Sequence, residues 1–127
     1  MKYWSKILVA YDGSEYSKKA LHEAIRLGEK FNSAITVVHA CWEESDDASR
    51  YLLKETEEPL KRAKIKHNLR SERTDNAPRR ILEIIQKEGY DCIFLGARGI
   101  GRAKDWLLGS VSTRIAAEAP CTVIISR

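Results

Sequence analysis

The chain turns from strand to helix within the stretch Ile7-Leu8-Val9-Ala10-Tyr11-Asp12-Gly13-Ser14. The first four of these residues form a short apolar run, which predicts a strand that is buried on both faces. The Asp12-Gly13 pair predicts a sharp turn, and Ser14 is a suitable N-cap for the helix that follows. After an amphipathic segment that reaches Gly28, a second β-rich run covers residues 34–40. This β-α-β order predicts two parallel strands joined by a helix.

The segment between the second and third strands is harder to interpret. It is rich in charge from Glu43 to Lys66, and a few leucines and alanines give it one apolar helical face. Pro59 either kinks this helix or occupies the first turn of a second short helix, and the sequence leaves both alternatives open. A third strand is expected within His67 to Thr74, at an edge of the sheet, because Leu69 is its only strong hydrophobe.

Helices and strands continue to alternate to the end of the chain. A helix is expected to open at Asn76-Ala77-Pro78 and to end at Gly89, a typical residue for a helix C-terminus. The remaining expected elements are a buried strand at 91–95, a helix at 110–119 and a last strand at 122–126. Apolar strands that alternate with helices form parallel sheets covered on both sides. We therefore predict one doubly wound α/β domain over residues 1–127.

Size and composition fit one soluble domain. The chain has 127 residues, 43% of them hydrophobic, and its 22 basic and 18 acidic side chains give a net charge of +4. This small positive excess suits an anionic ligand but does not require nucleic acid. No apolar stretch approaches the roughly 20 residues of a membrane span, and no signal peptide precedes the first strand. The expected location is the cytoplasm, where Cys41, Cys92 and Cys121 would stay reduced.

Glycine is concentrated in two places towards the C-terminal end. The segment Gly96-Ala97-Arg98-Gly99-Ile100-Gly101 follows the fourth strand, and Gly109-Ser110 opens the last helix. Glycine allows positive φ angles and close approach of backbone N–H groups to a ligand, and the first turn of a helix offers unpaired donors. These features together suit a phosphate chain. Hydroxyl groups and cations nearby would add hydrogen bonds and screen charge: Ser110, Ser112, Arg98, Arg102 and Lys104.

Two common phosphate-binding motifs do not fit this segment. Gly96 and Gly101 have the spacing of a P-loop, but Arg102-Ala103 stands where a lysine and a hydroxyl residue are required. The dinucleotide motif G-x-G-x-x-G fails because Lys104 occupies the place of its third glycine, and the turn after the first strand carries no such motif. Both motifs are therefore excluded.

A longer pattern does fit. Gly96, Gly99, Gly109 and Ser110 match the spacing G-x2-G-x9-G-[S/T], which resembles the ATP-binding signature of the universal stress protein family. Residues 10–14 are similar to the A-x-D-x-S start of that family, and Val38-His39-Ala40 resembles the end of its second strand. The resemblance therefore covers nearly the whole chain.

The resemblance implies an architecture and a ligand. It implies a five-stranded parallel sheet in the order 3-2-1-4-5, and ATP, or AMP or ADP, as the ligand, with Mg²⁺. Tyr11 and Asp12 would contact the adenosine side of the nucleotide, and the backbone near Ala40 would read adenine. Ribose and phosphates would lie against Gly96, Gly99, Gly109, Ser110, Val111 and Ser112.

The function that this resemblance implies is that of a stress-response regulator whose nucleotide occupancy alters its shape or partners. The family commonly pairs through the last strand. Here residues 122–125 form an apolar edge that would otherwise invite aggregation, so a homodimer is expected. We expect ATP to be held and hydrolysed slowly or not at all, because Asp105 is the only carboxylate in the loop and nothing visible orients it.

Two other classes of function stay open. The first is an enzyme of nucleotide chemistry, such as an ATP hydrolase or an adenylyl-transferring domain. The second is a nucleic-acid-binding module that uses the basic segment 61–80, although this segment lacks interleaved aromatic residues. The three histidines are not spaced as metal ligands, and no metal site is expected. Trp4 and Trp42 are expected to pack against the core.

Overall fold

The structure is a computed structural model that describes residues 4–42, 45–99 and 108–127. The strands are β1 (Lys6–Ala10), β2 (Ala34–Cys41), β3 (His67–Arg73), β4 (Cys92–Gly96) and β5 (Thr122–Ser126). The helices are α1 (Glu15–Phe31), α2 (Asp46–Lys54), α3 (Glu57–Arg62), α4 (Ala77–Glu88) and α5 (Ser110–Glu118). All strand pairs are parallel and the order is β3-β2-β1-β4-β5, which confirms the expected topology. None of the helices within the described ranges combines the length and the apolar character of a membrane span.

The two faces of the sheet carry two separate hydrophobic clusters. Ile7 and Val9 of β1 belong to the cluster formed with α1, α2 and α3, whereas Leu8 between them belongs to the cluster formed with α4 and α5. This is the alternation that a strand buried on both faces requires. All three side chains are fully buried, and each contributes about 1.5–3 kcal/mol to stability. Helices on both faces confirm the doubly wound fold.

The helix ends that the sequence predicts are present. The Ser14 hydroxyl accepts a hydrogen bond from the Ser17 N–H at 3.1 Å and caps α1. Asn76 accepts one from the Arg79 N–H at 3.1 Å and caps α4, which ends at Gly89 with a φ of 69°. At that left-handed angle, glycine avoids the steric cost of a side chain. Because α1 and α4 each follow a parallel strand, both N-termini lie at the edge of the sheet where the strands end.

Pro59 lies in the first turn of a second short helix. The helix α2 ends at Lys54 and α3 begins at Glu57, so Pro59 is the third residue of α3. The first N–H groups of a helix have no intrahelical acceptor, and a proline therefore costs little there. Of the two alternatives that the sequence leaves open, the break into two helices is the correct one.

The edge strand β3 lies where the weak strand is expected, and charged pairs cover it. Glu72 accepts hydrogen bonds from Arg70 at 2.7 Å and from Arg80 of α4 at 2.9 Å. Arg70 also pairs with Glu88 at the end of α4. These contacts explain why the strand has few hydrophobic residues, and they account for two arginines of the basic segment 61–80.

The prediction that Trp42 packs against the core is wrong. Its side chain is 58% exposed, and the Arg73 guanidinium lies 5.2 Å from the centroid of its ring. The ring face therefore contacts a cation instead of apolar side chains. Trp4, as predicted, packs against the cluster on the α1 side of the sheet.

Candidate functional site

A cavity of about 350 Å³ opens at the carboxyl ends of β1, β2 and β4. Its lining includes Asp12 after β1, Ala40 of β2 and Gly96 at the end of β4. The strand order reverses between β1 and β4, and open α/β sheets bind their ligands at such a point. The volume lies within the range of about 300–1,000 Å³ that is typical of small-molecule sites. This cavity is therefore the candidate site.

The structure brings all ten site residues predicted from the sequence together around this cavity. They come from strand ends, from the loop after β4 and from the first turn of α5, namely Tyr11, Asp12, Ala40, Gly96, Arg98, Gly99, Gly109, Ser110, Val111 and Ser112. Their contacts with a ligand stay a prediction. Three further charged residues of the loop, Arg102, Lys104 and Asp105, lie outside the described residues.

Sequence reasoning missed the remaining residues of the lining, which are Ala10, Ser17, Val38, His39, Ala77, Ile81 and Leu95. Most are apolar, and in a sequence the wall of a cavity and a hydrophobic core require the same side chains. Position along a helix is the one signal that could have found some of them. Ala77 and Ile81 are four residues apart on α4 and therefore share a face. Together with Val38, Ala40 and Leu95 they give the cavity an apolar side.

The N-terminus of α5 borders the cavity and has no side-chain cap. Its N-cap is Gly109, which has no side chain that could accept a hydrogen bond, and the helix begins at Ser110. In contrast, Ser14 and Asn76 cap α1 and α4. The first-turn N–H groups of a helix have no intrahelical acceptors and carry the positive end of the helix dipole. The backbone of residues 110–112 therefore offers hydrogen-bond donors to an anion.

Ser112 joins this helix to the loop after β4. Its hydroxyl donates to the Ala97 carbonyl at 2.6 Å and also lies 3.1 Å from the Gly109 carbonyl. The Gly109 N–H donates to the same Ala97 carbonyl at 2.7 Å. The sequence suggests the Ser112 hydroxyl as a donor to the ligand, but in this structure it holds the two sides of the loop together.

The glycines of the loop allow close packing and do not have unusual backbone angles. None of Gly96, Gly99 and Gly109 has the positive φ that was expected. A Cβ atom at Gly96 would lie 2.6 Å from the Tyr16 Cβ, and one at Gly99 would lie 2.8 Å from Asp12 Oδ2. Both distances are shorter than real Cβ contacts. Glycine is required at these positions because a neighbouring segment fills the space of a side chain.

Asp12 is held by the turn that follows β1. Its Oδ1 accepts a hydrogen bond from the Ser14 N–H at 2.9 Å, and its own N–H donates to the Ser17 hydroxyl at 3.3 Å. Its Oδ2 lies next to Gly99. One carboxylate oxygen is thus engaged in the turn, and the other lies beside the loop that borders the cavity.

Tyr11 is a neutral wall residue. Burial raises the pKa of the Tyr11 phenol well above its ordinary value, and the hydrogen-bonded Glu55 carboxylate raises it further. The phenol therefore stays protonated and donates to Glu55. Since it cannot accept a proton at physiological pH, Tyr11 does not serve as a general base.

His39 anchors the end of β2 beside the cavity. It is 4% exposed, and its Nδ1 lies 2.6 Å from the Ser49 hydroxyl of α2. The Ser49 oxygen in turn accepts a hydrogen bond from Ser71 of β3 at 2.7 Å. The histidine is thus engaged with a hydroxyl group. Across the described ranges, no cluster of three or more histidine, cysteine or acidic side chains is arranged to hold a metal ion.

Comparison with known proteins gives a family and a shared fold. The model of the universal stress protein family matches residues 4–127. A universal stress protein of Thermus aquaticus is 31% identical over 134 residues, which cover 95% of this chain and 97% of that relative.

Two solved structures of universal stress proteins illustrate the structural likeness. One was determined in complex with cAMP and has a TM-score of 0.81 at 22% identity, with 99% of this chain and 98% of that chain covered. Another, from Archaeoglobus fulgidus in complex with dAMP, has a TM-score of 0.79 at 17% identity and covers 100% of both chains. At these identities the likeness establishes the fold alone.

Proposed function

This chain belongs to the universal stress protein family, and from that premise we propose that its cavity binds an adenine nucleotide. One observation carries the proposal: the uncapped N-terminus of α5 and an apolar wall border the same cavity. A phosphate group requires the N–H donors, and a purine requires the apolar surface. Two related proteins were solved with cAMP and dAMP, which contain both groups.

In the proposed complex, each part of the nucleotide has a matching part of the lining. The purine lies against the apolar side, near the backbone of Ala40. The Asp12 carboxylate, an acceptor only, binds on the adenosine side, where the hydroxyl groups of the sugar are donors. The phosphates lie at the N–H groups of residues 110–112, and Arg98 screens their charge.

We further propose that the ligand in the cell is ATP, or else AMP or ADP, and that ATP is retained and not rapidly hydrolysed. Among the described lining residues, Asp12 is the only carboxylate, and Ser14 engages one of its oxygens. A water molecule at the γ-phosphate therefore lacks an oriented base. We expect Mg²⁺ to accompany the phosphates and to be held mainly by phosphate oxygens and water, as is usual for this ion.

We propose a cytoplasmic regulator whose nucleotide occupancy changes its partners and whose two copies pair through β5. This strand ends the sheet, with β4 as its neighbour on one side. An apolar strand edge that stays unpaired favours aggregation. Sedimentation at micromolar concentration, with and without ATP, should give a dimer, and a clean monomer in both conditions would contradict the pairing.

Mass spectrometry of the purified, unfolded protein tests the central proposal, because a bound adenine nucleotide would be released and identified. Isothermal titration with AMP, ADP and ATP then measures the affinity of the stripped protein. The matched variant is Gly109→Val, since a Cβ atom at Gly109 would lie 3.3 Å from the Arg98 Cα, in the gap that a phosphate must approach. A variant that stays folded by circular dichroism is expected to lose binding. Wild-type affinity in that folded variant would rule out the phosphate position.

A further inference from the structure

Arg98 is buried although it carries a full positive charge. The residue is 4% exposed, yet it lines the cavity. Its guanidinium carbon lies 4.3 Å from the centroid of the Tyr16 ring, a distance at which a cation and an aromatic face attract each other. Burial of a charge is unfavourable unless partners compensate for it. Tyr16, in the first turn of α1, is such a partner.

Gly96 allows Tyr16 to reach this position. A Cβ atom at Gly96 would lie 2.6 Å from the Tyr16 Cβ and 2.8 Å from its carbonyl carbon. The first turn of α1 therefore packs directly on the backbone of β4, two residues before Arg98. Because this is a contact of backbone with backbone, the base of the Tyr16 side chain has little freedom to move. Its ring is a platform at a fixed place.

Stacking on this platform uses the face of the guanidinium and leaves its edge for other partners. The N–H donors of arginine lie in the plane of the group. When the face of the guanidinium covers a ring, these donors run parallel to the ring and do not point into it. A planar fork held in this way can bind two phosphate oxygens at once. Lysine, with a compact ammonium group on a flexible stem, would not gain this orientation.

We propose that Tyr16 is a positioning residue of the nucleotide site. By stacking on Arg98 it orients the guanidinium for the phosphate of the ligand, and the site thereby selects phosphorylated adenine ligands over adenosine. This inference rests on the proposed nucleotide binding. It adds a residue outside the glycine pattern and commits to the phosphate as the group that is selected.

Isothermal titration of AMP and of adenosine against matched variants tests this role. Tyr16→Phe keeps the ring and should bind AMP as the wild type does. Tyr16→Leu removes the ring, and its AMP affinity should fall about tenfold while its adenosine affinity stays unchanged. Arg98→Met should lose at least as much AMP affinity. The double variant should bind AMP no more weakly than Arg98→Met alone, because the ring acts through the guanidinium.

Several results would overturn the inference. Unchanged AMP affinity in Tyr16→Leu, equal losses for AMP and adenosine, or additive losses in the double variant would each exclude a positioning role. If Tyr16→Leu does not fold, as judged by thermal unfolding, Arg98→Lys decides, since it keeps the charge and loses the stacked plane. Wild-type AMP affinity in Arg98→Lys would then contradict the proposal. A wild-type protein that binds neither ligand would instead refute the proposed function itself.

Discussion

The Asp12 carboxylate lies against Gly99, so close that a Cβ atom at residue 99 would come within 2.8 Å of Asp12 Oδ2. The turn after β1 and the loop after β4 thus meet at these two residues, and both residues line the cavity. The atom nearest to the missing Cβ belongs to a flexible side chain. An added methyl group would therefore displace the carboxylate and leave the backbone in place.

We expect Gly99→Ala to weaken binding of an adenine nucleotide with little effect on the free energy of unfolding. A displaced Asp12 carboxylate would lose its hydrogen bond to the ligand, and a bond to a charged group corresponds to about a tenfold loss of affinity or more. Isothermal titration measures the affinity, and thermal unfolding measures the stability. Wild-type affinity in the folded variant would exclude Asp12 from the site.

Gly89→Ala is the matched control for this variant. Gly89 has a φ of 69°, nothing lies within 4 Å of the place of its Cβ, and it does not line the cavity. Alanine is strained at that angle, so this variant should lose about 1 kcal/mol of stability and keep its affinity for the nucleotide. If the two variants instead change the same quantity, the effect of Gly99→Ala does not arise from its contact with Asp12.

The sequence is a good guide where a residue's role depends on its immediate neighbours. Ser14 and Gly89 could be predicted as helix ends because a cap involves only the adjacent turn. Gly96 and Gly99 could be located by their spacing, but the reason for glycine there could not be predicted. That reason is the approach of Tyr16 and Asp12, which are distant in sequence.

Other features escape prediction because two structures satisfy the same local rule. Pro59 is compatible with a kink and with a first turn, and tertiary packing decides between them: Leu53 of α2 and Leu60 of α3 are both fully buried in the same cluster. The apolar side of the cavity is hidden in the same way. Val38 and Ile81 have the chemistry of core residues, and only the fold reveals that they also face a cavity.

The charge network on β3 should make stability depend on pH in the acid range. Burial of Glu72 acts to raise the pKa of its carboxyl group, but hydrogen bonds from Arg70 and Arg80 outweigh burial and hold that pKa below its ordinary value. A carboxyl group whose pKa is lower in the folded state stabilises the fold above its unfolded-state pKa. This stabilisation is lost as the pH falls through the folded-state pKa.

We therefore expect Glu72→Gln to cost about 1 kcal/mol at neutral pH and nothing comparable in acid. Denaturant unfolding at about pH 7 and about pH 3 measures the difference. Glu58→Gln is the control, because Glu58 pairs with Arg62 on the surface with 76% and 72% of the two side chains exposed. It should change stability by less than about 0.5 kcal/mol at either pH. Equal effects of the two variants would contradict the prediction.

Cys92 should resist thiol reagents in the folded protein. Burial, with smaller contributions from Cys121 and Asp91, raises the pKa of its thiol to about 12. The thiolate is the reactive form, and it is scarce at mildly alkaline pH. Mapping of iodoacetamide adducts should find Cys41, which lies partly exposed, modified before Cys92. Unfolding should remove the difference, and equal rates in the folded state would mean that the Cys92 side chain is not buried.

Slow turnover is the last expectation, and it separates a nucleotide-retaining regulator from an enzyme. Fast phosphoryl transfer needs a base that orients the attacking water, together with cations placed for the transition state. Within the described lining, the Tyr11 phenol stays protonated, and Asp12 has one oxygen engaged by Ser14. We therefore expect a steady-state ATPase rate below about 1 s⁻¹. Labelled ATP incubated with the protein should stay bound and intact over many hours. A faster rate that disappears in Gly109→Val would assign the hydrolysis to this cavity and favour the enzyme, whereas a faster rate that persists in that variant would indicate a contaminating activity.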